Sequence, residues 1–74
     1  MKKYLNKSGN SGVSYYEIGK DFLVLRFING ETYRYDTINP GKIHLEEMKA
    51  LAVSGIGLAT YINKYVRDNY AEKL

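Results

Sequence analysis

Phe22-Leu-Val-Leu-Arg-Phe-Ile-Asn-Gly-Glu-Thr-Tyr-Arg-Tyr35 is the stretch on which the fold of this 74-residue chain turns. Leu23, Leu25 and Phe27 alternate with Phe22, Val24, Arg26 and Ile28, and Tyr33 and Tyr35 alternate with Thr32, Arg34 and Asp36. A period of two marks a strand, so the stretch is a pair of strands around a turn. Two registers compete. A two-residue Asn29-Gly30 loop pairs Ile28 with Glu31 and sets Arg34 beside Leu25. A three-residue loop, Ile28-Asn29-Gly30, pairs Phe27 with Glu31 and Leu25 with Tyr33. A one-residue slip flips every side chain to the other face. Only the three-residue loop gathers Leu23, Leu25, Phe27, Tyr33 and Tyr35 on one face. It requires a left-handed residue at its end, which Gly30 supplies because it has no Cβ to clash at positive φ.

Before the hairpin, Val13 to Ile18 reads as a first strand, with Ser14, Tyr16 and Ile18 on one side and Val13, Tyr15 and Glu17 on the other. Gly19-Lys20-Asp21 then turns the chain, giving a three-stranded antiparallel meander. Residues 1–12, with the run Ser8-Gly-Asn-Ser-Gly12, read as a flexible tail. After the hairpin, Asn39-Pro40 predicts a helix start, with Asn as the cap and Pro at the first helical position. A helical projection from Pro40 to about Ser54 gathers His44, Leu45, Met48, Leu51 and Ala52 opposite Lys42, Glu46 and Lys49. Ser54-Gly55-Ile56-Gly57 breaks that pattern as an inter-helix turn, with Ser54 or Gly57 at a cap. Leu58, Tyr61, Ile62, Tyr65 and Val66 then carry the spacing of a second amphipathic helix. The expected fold is α+β, in the order β-β-β-α-α, with residues 13–74 forming one domain. Both helices should pack on the Leu23/Leu25/Phe27/Tyr33/Tyr35 face. The other sheet face, bearing Tyr15, Glu17, Val24, Arg26, Thr32 and Arg34, is expected to meet water.

The bulk properties narrow the classes of function. There is no cysteine, so no disulfide framework, thiolate nucleophile or thiolate metal site is available. No apolar run follows the N-terminal lysines, and none is long enough for a membrane span, so a cytoplasmic protein without membrane contact is expected. The net charge of +3 looks basic. Yet Lys2, Lys3 and Lys7 all fall in residues 1–12, and residues 13–74 carry as many acids as bases. A nucleic-acid binder usually has a basic face on the domain itself.

The pattern Phe27-x-x-Gly30-x-x-Tyr33-x-Tyr35-x-x-Ile38-x-Pro40, followed by Tyr61-Ile62-Asn63, Val66-Arg67 and Tyr70, resembles the KTSC domain. That small bacterial and phage family is named for a C-terminal segment of some lysyl-tRNA synthetases. The resemblance covers roughly residues 13–70. It implies the same small fold, a family motif centred on Tyr33 and Tyr35, and an association with RNA through the synthetase context. Gly57-Leu58-Ala59 departs from the Ser-x-Gly that such domains tend to carry there, and His44 stands where the family often has an aromatic.

Among single residues, Tyr33 and Tyr35 fall on the apolar face and read as core aromatics with hydroxyls reaching the sheet edge. Arg26 and Arg34 are diagonal neighbours on the open face, with Tyr15 opposite Arg26. Two guanidiniums beside an aromatic on an open sheet suit phosphates and stacked bases. The competing reading is a solvated face on which Glu17 pairs with Arg26. His44 lies among apolar neighbours with no carboxylate or nucleophile matched to it and no metal-ligand spacing around it, so it reads as a packed ring. Arg67 reads as an exposed helix residue. The expectation is a non-catalytic module without cofactor or metal. It would bind RNA or an RNA–protein assembly through Tyr15, Arg26 and Arg34, or alternatively another protein chain or its own copy, as a monomer or weak dimer.

Overall fold

The computed structural model describes residues 1–74. Its elements are β1 (Lys2–Lys3), β2 (Val13–Ile18), β3 (Phe22–Phe27), β4 (Thr32–Asp36), α1 (Lys42–Ser54), α2 (Leu58–Tyr61) running directly into a π-helical turn (Ile62–Val66), and β5 (Glu72–Lys73). The strands form one antiparallel sheet in sequence order, β1-β2-β3-β4-β5. The expected meander is therefore its centre, and a short strand is added at each edge.

The hairpin has the three-residue loop. The Phe27 N–H donates to the Glu31 carbonyl at 2.8 Å and the Gly30 N–H to the Phe27 carbonyl at 2.9 Å. Gly30 sits at φ +89°, and Leu25 faces Tyr33. Leu23, Leu25 and Tyr35 are buried with Leu45, Met48 and Ala52 of α1 and Leu58, Ile62 and Val66 of the second helical run, forming one core. All these apolar faces meet in a single layer between sheet and helices.

Three expectations are corrected. Residues 1–12 are not a free tail: β1 pairs with β2, and Tyr4 is 2% exposed. The Tyr4 hydroxyl accepts the Leu58 N–H at 3.3 Å, and the Lys7 N–H donates to the Gly55 carbonyl at 2.8 Å. A bulge between Val13 and Tyr15 shifts the register of β2, so Val13 turns inward and is buried rather than sharing a face with Tyr15. Helix α1 starts at Lys42 and not at Pro40. The Asp36 carboxylate accepts the N–H groups of Ile38 and Asn39, each at 2.9 Å, and the Asp36 N–H donates to the Asn39 carbonyl. Asn39 and Pro40 are thereby spent on a turn closed by Asp36, and the first helical bond runs from the Leu45 N–H to the Gly41 carbonyl.

Candidate nucleic-acid interface on the open sheet face

Antiparallel pairing arranges the uncovered face in rows across the strands. At the end nearest the Gly30 loop, Lys3 of β1 faces Tyr15 of β2, Tyr15 faces Arg26 of β3, and Arg26 faces Thr32 of β4. The next row holds Glu17, Val24, Arg34 and Glu72. Phe22 and Asp36 close the far end. The bulge at Ser14 creates the first row: by absorbing one residue, it lets Val13 point into the core while Tyr15 still points out.

The side chains of the first row include no carboxylate. Tyr15 is 39% exposed and lies between a lysine and an arginine. Adjacent strands are about 4.8 Å apart, so the backbones of Lys3 and Arg26 lie roughly 10 Å from each other with Tyr15 between them in the row. Arg26 is exposed, yet its direction is set: Nε donates to Thr32 Oγ1 at 3.3 Å. The Ser14 hydroxyl donates to the Arg26 carbonyl at 3.1 Å, securing the backbone at the bulge. No Glu17–Arg26 ion pair forms.

Arg34 is the diagonal neighbour of Arg26, as the register requires. Its guanidinium, however, is engaged: Nη1 lies 3.6 Å from Asp36 Oδ2, and the group sits 5.1 Å from the centre of the Phe22 ring. The two backbone N–H donors, from Asn39 first and then Ile38, hold the Asp36 carboxyl below the usual carboxylate range, with Arg34 adding to the effect. The structure brings all three residues assigned from sequence to this face, Tyr15 and Arg26 in the row beside the loop and Arg34 in the next, where Asp36 and Phe22 are its neighbours. Lys3, which the sequence assigned to a tail, joins them instead. A two-residue strand shows no periodicity, so only the pairing with β2 reveals where Lys3 points.

Tyr33 and Tyr35 sit on the core side. Tyr35 is buried, and burial pushes its hydroxyl up to about 12. Tyr33 is half-buried between Phe27 and Tyr70 and donates its hydroxyl to Glu31 Oε2 at 3.0 Å. Lys73 Nζ approaches the same oxygen at 3.1 Å. Lys73 first, and then Tyr33, holds the Glu31 carboxyl below its ordinary value. This cluster ties β5 to the hairpin.

His44 is half-buried against the second helical run, 2.6 Å from the Tyr61 hydroxyl through Nδ1, with ring centres 5.7 Å from Tyr61 and 6.2 Å from Tyr65. Gly55, left-handed at φ +80°, ends α1, and Gly57 precedes α2. No group of three or more His, Asp and Glu side chains is arranged to hold a metal ion. No helix is long and apolar enough to cross a membrane. No protein-family model, curated protein or solved structure matches this chain.

Proposed function

We propose that this protein is a non-catalytic module that binds single-stranded RNA across the open face of its sheet. What carries this reading is the acid-free row Lys3–Tyr15–Arg26–Thr32, an exposed aromatic with a cation on either side. Stacking on an aromatic platform and phosphate capture by flanking cations is how sheet-faced modules hold a single strand without a deep pocket. The resemblance to KTSC domains points toward the same class of partner. The carboxylates Glu17, Asp36 and Glu72 confine the phosphates to the row beside the loop, because a strand running along β2 would pass over Glu17, one along β4 over Asp36 and one along β5 over Glu72.

Titration with a short single-stranded RNA at two salt concentrations tests this. Tyr15→Ala should remove about 1–3 kcal/mol of stacking. Lys3→Ala and Arg26→Ala should each weaken binding and reduce the salt slope by about 0.7, the counterion release of one phosphate contact on a single strand. Arg34→Ala should change binding less than either, since Asp36 and Phe22 already hold its guanidinium. Undiminished binding by the Tyr15 and Arg26 variants would sink the proposal. Ile28 and Leu74, 76% and 59% exposed, flank the same face. A dimer on sizing that binds no RNA would transfer the face to self-association.

A further inference from the structure

We infer that the hollow over Val24, flanked by Glu17 and Arg26, reads guanine, with Glu17 as the residue that selects it; this rests on the RNA-binding reading above. The hollow lies over Val24, with Glu17, Arg26 and Thr32 around it and Met1, Gly30 and Leu74 completing its lining. Glu17 faces Val24 across the strands and is the diagonal neighbour of Arg26. Such neighbours lie about 7–8 Å apart, a separation that two long side chains close around the edge of a base.

The two side chains offer opposite chemistry. Glu17 is exposed, forms no ion pair, and presents two acceptor oxygens with nothing to donate. Arg26 has committed Nε to Thr32 and keeps its terminal N–H groups for a ligand. Guanine is the base that matches both: N1–H and the 2-amino group are adjacent donors for the two carboxylate oxygens, while O6 accepts from Arg26. Adenine and cytosine place an unprotonated ring nitrogen next to their amino group, where it meets the carboxylate as a second acceptor. Uracil has a single N–H between two carbonyls. Lys3 and the Arg26 N–H groups not used on O6 thus hold the backbone, and the first carboxylate of the next row, which would repel a phosphate, is directed at the base.

The test compares RNA pentamers identical except at the central base, which is guanine, inosine or uracil, binding to the full chain and to Glu17→Gln and Tyr15→Ala. Inosine keeps N1–H and O6 and lacks only the 2-amino group. Guanine should bind about tenfold more tightly than inosine, the loss expected for one hydrogen bond to a charged group. Uracil should bind more weakly still. In Glu17→Gln the guanine preference should collapse while uracil binds at least as well as before, since a repulsive charge is gone. Tyr15→Ala should weaken all three oligomers together. Equal affinity of the wild-type chain for the three pentamers, or a guanine preference that survives Glu17→Gln, would overturn the assignment and leave RNA binding intact. Failure of every pentamer to bind, or binding untouched by Tyr15→Ala, would overturn RNA binding by this face and the base assignment with it.

Discussion

Gly30 and Gly55 both adopt left-handed backbone, at φ +89° and +80°, but a side chain at each would meet different surroundings. A Cβ at Gly30 points into open space, so Gly30→Ala should cost only the backbone strain, roughly 1–2 kcal/mol. A Cβ at Gly55 would lie 2.5 Å from the Leu5 Cβ, because the N-terminal segment crosses the end of α1 there. Gly55→Ala adds that overlap, of the order of 1–3 kcal/mol, to the same strain. Denaturant unfolding should therefore rank Gly55→Ala as the more damaging. The reverse order would mean that the N-terminal segment does not pack as described. The conformation of Gly30 was legible in the sequence because only one hairpin register gathers the apolar residues. The crowding at Gly55 was not, since Leu5 is distant along the chain and carries no local signal of where it goes.

At the level of elements, β1 and the segment after it complete the core. Tyr4 contributes a fully buried ring and, through its hydroxyl, a partner for an N–H at the start of α2. Tyr4→Ala should cost about 3–5 kcal/mol, as loss of a large buried aromatic does. Tyr4→Phe should cost about 1 kcal/mol for the hydrogen bond alone. Thermal or chemical unfolding of the two variants checks this. If Tyr4→Ala were neutral, residues 1–12 would be a tail after all. The edges escaped the sequence because β1 and β5 are each two residues long, too short for alternation to show. The bulge at Ser14 escaped for a related reason: strict alternation across Val13 to Ile18 puts Val13 outside, and only the competition to bury it bends the strand. Asn39-Pro40 has the composition of a helix start, but the carboxylate of Asp36 recruits the local N–H groups first.

For the whole molecule, the chemistry most exposed to the medium is that of its tyrosines. Burial raises the Tyr35 hydroxyl to about 12, the hydrogen bond to Glu31 raises Tyr33, and burial raises Tyr61. An unfolded tyrosine ionises near 10. Between pH 10 and 12 the unfolded chain releases protons that the folded chain retains, so stability falls as pH rises through that window and is complete below it. Unfolding free energy measured from pH 8 to 12 should show that decline, and Tyr35→Phe should make it shallower. A flat profile would contradict the burial of Tyr35. Eleven apolar residues fill the one core between sheet and helices, and the candidate site lies outside it, on the open face of the sheet.

Sequence alone determined the centre of the fold. Alternation and a glycine turn set the register of β3 and β4, and that register decided which side of the hairpin would be buried and that Arg26 and Arg34 would share the other. These features depend on neighbours within a few residues, where periodicity and steric preference act. Tertiary structure decided the site within that face. Whether Lys3 stands beside Tyr15, whether Arg34 is free or held by Asp36 and Phe22, and whether Glu17 is left unpaired beside Arg26 all depend on groups brought together by sheet pairing and packing. Such juxtapositions are settled by the competition to bury Tyr4 and Val13 and to satisfy backbone donors, and no local pattern in the chain records the outcome.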